Sequence, residues 1–591
     1  MRRPTRHGLL AFGLAALAAG AARADKAVAV TVAPWRFLSA TAPPAGWTDP
    51  AFDDRGWGGP GGGPFSPLPA SNLLPGGNLP GTPPAPPGTL YPAVPRAPLL
   101  LRARFSVADA AHVRVLDLRV AYEDGFIAYL NGREVARRGL GPNGAAPPVP
   151  HGPEFERVSI PVPSPAIPSL APEGNLLAIA VYPWPGRSAT STTAPAAAID
   201  VGAASGVRIV RGPYLSTPRE IDGQEWVRVN WETDLPAVAT LSVGGANDPS
   251  TTAWRHFKVH PSATRQSLTI ARLPSGGAFR YTIDVDAGGG DTATAGPYVF
   301  PTVASASQPF RFAVYGDMRY PGHAAHRAIV EALVREAPPL ILNTGDLTDV
   351  GSEESNWQKY FEITAPMGAI APVVPALGNH DADRHGTGSP IAWSLFGVPA
   401  KGPPGWTSFD LGGVHFVILS TNDMRNPAQR DWLRRDLAGA RRRERPPRAI
   451  FAFCHEGPWS HALHGGESIM VHDYAPILAA AHVDVLFSGH DHIYERGVGN
   501  TPEGKLPYVV SGGGGAPLYN PHCQAAAGPP PVGVPGPLPA CPAWVQVLTN
   551  TYHYIMVEVS PGGITLCPRH PDGSPVEACV TLPPRREHGS R

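Results

Sequence analysis

Between residues 316 and 492 the chain sets out acids, an amide and imidazoles in five short groups. They are Tyr-Gly-Asp at 315–317, Gly-Asp at 345–346, Gly-Asn-His-Asp at 378–381, His455, and Gly-His-Asp-His at 489–492. Asp, Asn and His side chains together suit iron, zinc, manganese or cobalt and argue against a dedicated calcium site. The chemistry open to such a set is hydrolysis of a phosphate ester. Two cations about 3.5–4 Å apart lower the pKa of a water and relieve charge on the phosphoryl oxygens. Holding them that close demands a shared anionic ligand, and Asp346 is the natural bridge.

Each group closes a short apolar run: Phe312-Ala-Val-Tyr315, Leu340-Ile-Leu342, the run at 372–377, Ile450-Phe-Ala-Phe453 and Val483-Asp-Val-Leu-Phe487. Runs of this kind, bounded by Gly and alternating with helical segments, read as buried strands of an α/β sheet. Five strand ends then deliver polar groups to one edge. Helices are expected at 323–336, where Ile329, Val330, Leu333 and Val334 share a face, and at 428–440 and 474–481. The stretch Tyr508-Val-Val-Ser-Gly-Gly-Gly-Gly515, a Pro-rich insertion to about Ala543 and a final strand pair at 552–559 and 563–567 follow the last group.

At 591 residues the chain is too long for one ordinary core, and two to four domains are expected. The 48 basic and 48 acidic residues balance, which removes any general electrostatic reason to bind nucleic acid or an anionic membrane. The basic start of residues 1–7, the apolar run at 8–22 and Ala22-Arg23-Ala24 read as a secretory signal peptide over residues 1–24. A secreted or periplasmic protein is therefore expected, with no membrane span, since no later stretch reaches spanning length. Export permits disulfides. Cys523 and Cys541 flank the Pro-rich loop and Cys567 and Cys579 the last hairpin, so two local bridges are expected, with Cys454 left as a buried thiol.

Residues 25–205 read as all-β, with a hairpin turned by Asn131-Gly132 between Phe126-Ile-Ala-Tyr-Leu130 and Arg133-Glu-Val135. Residues 58–98 are Pro/Gly-rich and read as one long loop. The stretches 46–57 and 122–135 resemble galactose-binding-like jelly rolls appended to secreted bacterial enzymes. That resemblance implies a carbohydrate partner stacked on Trp47 and Trp57, against the alternative that both tryptophans are core. Residues 206–305 read as a second β unit, with strands at 226–233, 240–243, 267–271 and 279–285. Arg211-Gly-Pro-Tyr-Leu215, with the pattern after it, resembles the fibronectin-III-like domain that precedes the catalytic domain of purple acid phosphatases.

The five groups in order resemble the calcineurin-like metallophosphoesterase superfamily, nearest to its purple acid phosphatase branch. The fold implied is multidomain: an N-terminal β jelly roll (25–205), a fibronectin-III-like β sandwich (206–305) and a C-terminal α/β metallophosphoesterase domain (306–591), a four-layer αββα sandwich. Carried over by position, Asp317, Asp346 and His492 would hold one metal, and Asp346, Asn379, His455 and His490 the other. The cofactors implied are two divalent or mixed-valence transition-metal ions, iron, zinc or manganese. His380 would hydrogen-bond the transition state or protonate the leaving oxygen.

Two positions depart from the pattern. The superfamily usually has His two residues after the first Asp, where this chain has Arg319, and purple acid phosphatases have Tyr where this chain has Asp349. His326, on the sheet-facing side of the first helix, is a substitute ligand or a core histidine. Arg319 could pair with the substrate phosphate, and His464 resembles a substrate-side histidine of the family. The reaction implied is hydrolysis of phosphomonoesters by a metal-bound hydroxide. Phosphodiesterase or nucleotide pyrophosphatase activity is the near alternative. A non-catalytic extracellular binding protein with a degenerate metal site is the distant one.

Overall fold

The computed structural model describes residues 27–582 apart from 41, 59–97, 123–124, 139, 141–153, 163–169, 183–197, 248–253, 320–322, 353, 383–389, 397–404, 530, 532 and 535. The leader at 1–24 and most of the Pro/Gly-rich loop therefore lie outside the described residues. No helix among the described residues is long and apolar enough to cross a membrane.

The front of the chain forms two antiparallel sheets. One runs Ala27–Val28, Ala198–Ala204, Val115–Tyr122, Glu154–Pro161; the other runs Val30–Val32, Leu99–Val107, Asn175–Tyr182, Gly125–Leu130, Arg133–Arg138. Leu101, Phe105, Leu116, Leu118, Phe126 and Ile179 belong to one core shared by both sheets. Asn131 and Gly132 both adopt positive φ, 48° and 83°, as a two-residue hairpin turn requires. Trp47 corrects the sugar-stacking expectation. It is buried with Leu100 and Leu176, and Trp57 lies against it at 6.3 Å between ring centroids. Arg102, fully buried beside them, is held by Asp54 at 2.8 Å.

In the second β unit the strands expected at 226–233 and 240–243 are one strand, Gln224–Gly245. It pairs with Ile209–Ile221 through its first half and with Ala278–Asp286 through its second, and with Arg255–Pro274 along most of its length. The register shifts between Glu232 and Ala239, where Pro236 sits. A proline interrupts a ladder there without ending the strand, because bulges tolerate a residue with no N–H. This unit is fastened to the following one. The Tyr214 hydroxyl donates to Leu395 O at 2.7 Å, that of Tyr281 to Ala369 O at 2.8 Å, and Arg211 pairs with Glu354.

From residue 310 two sheets face each other. The first orders Val373–Pro375, Ile341–Asn343, Phe310–Tyr315, Tyr554–Ser560, Gly563–Arg569, Val580–Leu582, its first three strands parallel. The second orders Thr407–Leu411, Val414–Ile418, Ala449–Phe453, Val485–Ser488, Gly504–Ser511, Tyr494–Thr501, Val545–Thr549. Strand alternation decides which layer each side chain enters. Phe312, Val314, Phe451, Phe453, Val485 and Phe487 point between the sheets, joined there by Phe416. Ala313, Tyr315 and Ile341 point outward to the helices His323–Glu336 and Glu354–Gly368. Ile450, Ala452 and Leu486 point outward to Pro427–Arg441 and Ala475–Ala480. The result is the expected αββα layering. Both faces of every central strand are apolar, which is why the runs look continuous in sequence. The five strands ending in polar groups are divided, however, three in the first sheet and two in the second.

The cysteines pair as expected, Cys523 with Cys541 and Cys567 with Cys579, and Cys454 is free and buried.

An ionic cluster lies at the edge of the second sheet. His415, 1% exposed, sits opposite Asp410 on the neighbouring strand. Its Nδ1 is 2.9 Å from Asp410 and its Nε2 2.9 Å from Asp436, while Arg443 reaches Asp410 at 2.7 Å and Ser408 donates to Asp436. Burial alone would lower the imidazole pKa, but the hydrogen bonds and charges of the two acids raise it to about 9. A raised folded pKa means the stabilisation is complete below the unfolded value near 6.5 and is lost as pH rises through about 9. His415→Gln should therefore destabilise the protein by on the order of 2 kcal/mol at pH 6, discounted for the part-exposed Asp410. The gap between variant and wild type, measured by urea unfolding, should shrink by pH 10; a pH-independent gap would refute the charge-based account.

Candidate metal centre

Five loops, each leaving the C-terminal end of a strand, converge across the ends of both sheets. Asp317 follows Phe310–Tyr315, Asp346 follows Ile341–Asn343, and Asn379 and His380 follow Val373–Pro375. His455 follows Ala449–Phe453, and His490 and His492 follow Val485–Ser488. Asp317, Asp346, His455 and His492 are buried and form the floor, whereas Asn379 is exposed and His380 and His490 are half-buried at the mouth. One potential ligand atom each from Asp317, Asp346 and His455 lies within 4.8 Å of the others.

The backbone is bent to make this possible. Asp317, Asp346 and His490 all have left-handed φ, 62°, 53° and 70°. That conformation is uncommon outside glycine, and its local cost is met by the surrounding fold. In this form the His490 N–H donates to Asp317 Oδ1 at 3.0 Å and the His380 N–H to Asp346 Oδ1 at 3.1 Å. Neighbouring glycines leave room: a Cβ on Gly378 would lie 2.2 Å from Asp346 Oδ1, and one on Gly489 2.2 Å from Asp317 Oδ2.

Hydrogen bonds fix the tautomers. His455 Nδ1 donates to Thr344 O at 2.8 Å and His492 Nδ1 to Pro517 O at 2.6 Å, so each neutral ring turns the lone pair of Nε2 inward. His455 Nε2 then lies 3.3 Å from Asp346 Oδ1, 3.1 Å from Asn379 Oδ1 and 3.2 Å from His490 Nδ1. Acceptors face acceptors. Burial, against the opposing backbone hydrogen bonds and with the help of nearby positive charge, lowers the pKa of His455 to about 3 and of His492 to about 4, which keeps both rings neutral. Burial and the nearby Asp346 push Asp317 well up.

Asp317 Oδ2 and His492 Nε2 are buried with no hydrogen-bond partner. Such orphaned acceptors are costly in a protein interior, and a cation placed among them removes the cost. Residue types, tautomers and orphaned atoms therefore fit metal ions held by Asp317, Asp346, Asn379, His455, His490 and His492.

The calcineurin-like phosphoesterase family profile matches residues 310–494, the stretch that carries all five groups. Residues 310–494 are a calcineurin-like phosphoesterase domain. Purple acid phosphatase 18 of Arabidopsis thaliana is 27% identical over 214 residues, 34% of this chain and 48% of that protein. Probable purple acid phosphatase 20 of the same plant is 24% identical over 296 residues, 46% of this chain and 66% of its own. The chain thus spans about half the length of the first of these curated relatives. The solved purple acid phosphatase from yellow lupin (Lupinus luteus) seeds is alike in fold, with a TM-score of 0.55 at 16% identity over 82% of this chain and 93% of that one.

Within this phosphoesterase domain the remaining residues singled out from sequence divide. Arg319 lies at the centre, its Nε 3.5 Å from Asp346 Oδ2 and its Nη1 3.3 Å from Asp349 Oδ1. The exposed His464 stacks on His490 at 4.1 Å, held by its own N–H on Asp491 Oδ1. His326 is drawn elsewhere. Its Nε2 is 3.5 Å from the Tyr315 hydroxyl and its ring is stacked near Tyr360, inside the helix-to-sheet layer. Tyr315 precedes Asp317 by two residues and points outward from the sandwich, so a helix residue that meets Tyr315 meets the core. The ligand alternative for His326 is replaced by the core-histidine one.

Two residues were not anticipated. Asp381 accepts from Leu347 N, Thr348 N and Gly378 N at 2.8, 3.1 and 2.9 Å, tying the loop of Asp346 to that of Asn379. Its place in Gly-Asn-His-Asp was the available clue. Tyr519, from the Pro-rich insertion, stacks on His492 at 4.0 Å. Nothing in its sequence surroundings marks it.

Proposed function

We propose that this chain is an exported, metal-dependent phosphomonoesterase. The single observation that carries the reading is the convergence of buried, partnerless acceptors from Asp317 and His492 with Asp346 and His455. Bound there, two transition-metal ions would supply an activated water and neutralise charge on the phosphoryl group.

The chain's own groups do the rest. Asp346, with carboxylate oxygens toward His455 and Arg319, would be the anion that both ions share. His380 donates from Nδ1 to Asp349 O at 2.8 Å, which directs Nε2 toward the mouth, 4.0 Å from Asp346 Oδ2. In the protonated ring that Nε2–H is placed to hydrogen-bond the ester oxygen and hand it a proton as it leaves. The Asp349 carboxylate stands 3.9 Å from Nδ1.

Export rests on the basic and apolar character of residues 1–24, and the two disulfides suit an oxidising compartment. A jelly roll at 25–205 and a fibronectin-III-like unit at 206–305 would precede the catalytic domain at 306–591.

Purified mature protein should carry close to two transition-metal ions per chain by elemental analysis. It should release p-nitrophenol from p-nitrophenyl phosphate faster than from bis(p-nitrophenyl) phosphate. Failure to bind metal, with no release from either ester after reconstitution, would overturn the enzyme reading; a faster diester reaction would overturn the monoester one.

A further inference from the structure

The segment 516–522 runs along the open side of the carboxylate and imidazole cluster, and it is fastened there at several points. Ala516 N donates to Asp317 O at 2.9 Å, Tyr519 N to His492 O at 3.2 Å and His522 N to His461 O at 2.8 Å. The Cys523–Cys541 bridge closes the insertion immediately afterwards. Tyr519 is consequently a rigid side chain. Its ring lies on that of His492 with planes 16° apart and meets the ring of His464 edge-on at 5.5 Å.

Its hydroxyl is the informative atom. Arg319 Nη2 approaches it at 3.3 Å, and because guanidinium can only donate, the phenol oxygen is the acceptor. The phenol's own proton is left to donate. Arg319 also has spare capacity: Nη1 serves Asp349, while Nε is buried with no hydrogen-bond partner and faces the charge of Asp346 at 3.5 Å. Asp346 is the residue whose charge metal ions would claim. One guanidinium and one hydroxyl thus stand side by side at the mouth, both in donor form, both positioned by the fold.

We propose that Arg319 and Tyr519 act as one donor pair for a terminal oxygen of the substrate phosphoryl group, and that this pair makes the site prefer monoesters to diesters. The inference rests on the phosphoesterase reading above and deepens it. A monoester has three terminal oxygens and a diester has two; the diester carries a neutral ester oxygen and a second alcohol group in the remaining position. Donors beyond the metal ligands have a charged oxygen to hold in the first case. In the second they meet an uncharged one, and charge-assisted hydrogen bonds are roughly twice as strong as neutral ones.

The test uses metal-loaded full-length protein, Tyr519→Phe, Arg319→Gln and the double variant. Inorganic phosphate is titrated by calorimetry, metal content and thermal midpoint are recorded, and kcat/KM is measured for p-nitrophenyl and bis(p-nitrophenyl) phosphate. Tyr519→Phe should keep its metals and its midpoint and bind phosphate about 5–10-fold more weakly. Arg319→Gln should lose about 10–100-fold, and the double variant little more, since the hydroxyl is held by the guanidinium. In every variant the ratio of monoester to diester kcat/KM should fall. Unchanged phosphate affinity and an unchanged ratio in Tyr519→Phe would overturn the proposal, as would a loss of metal in that variant. Wild-type protein that binds phosphate yet cleaves neither ester would overturn the phosphoesterase reading alone, because the phosphate titration needs no turnover.

Discussion

Asp346→Asn should leave the fold intact while lowering the rate of ester hydrolysis at least ~10³-fold, about 4 kcal/mol of transition-state stabilisation. The amide is the same size, and Asn tolerates the left-handed φ of 53° as readily as Asp does. What changes is charge. The carboxylate lies 3.3 Å from His455 Nε2 and 3.5 Å from Arg319 Nε, and an amide there would remove the anion proposed to be shared and the charge that faces Arg319 Nε. Elemental analysis should find one metal ion or fewer per chain. Two metals and a rate within tenfold of wild type would show that Asp346 is not the bridge.

Asp381→Ala should be the most damaging change that touches no candidate ligand. It leaves the N–H groups of Leu347, Thr348 and Gly378 buried without their acceptor. An unsatisfied buried donor costs about 1–3 kcal/mol, so with partial relaxation the loss should be about 3–5 kcal/mol. Activity should fall with it, because these N–H groups belong to the two loops that present Asp346 and Asn379. Asp381→Asn retains one acceptor oxygen and should fall between. Burial, together with Asp346, raises the Asp381 pKa to about 7. Denaturant unfolding provides the measurement, and an unchanged midpoint in Asp381→Ala would refute the role.

The candidate site was largely legible because its residues come directly after strands that are apolar on both faces. Phe310–Tyr315 and Ala449–Phe453 announce themselves without any tertiary information, and the helix His323–Glu336 falls where its apolar face predicts. Periodicity could not assign those strands to sheets, since a doubly buried strand looks alike in either one. The helix Glu354–Gly368 was not foreseen; Pro366 lies inside it, a residue that ordinarily marks a helix end. His326 was placed on the correct helical face, but a face does not name its partner, and the partners are tyrosines. Tyr519 reaches Arg319 across 200 positions of sequence, from a segment with neither periodicity nor charge to flag it.

The layer of phenylalanines between the sheets has a bearing on chemistry that their distance from it conceals. Phe312 meets Phe451 at 5.1 Å between ring centroids, Phe453 meets Phe487 at 5.1 Å and Phe416 bridges to both sides. Phe312, packed on Phe416 and Phe451, spans the gap between one sheet, which presents Asp317, Asp346 and Asn379, and the other, which presents His455, His490 and His492. Protein interiors are close-packed, so a larger ring would push one sheet against the other, while a smaller one would leave a cavity that the sheets close only in part. The spacing between these two sets of polar side chains thus depends on ring volume in the core, so substitutions with no polar atom at all should be able to alter it.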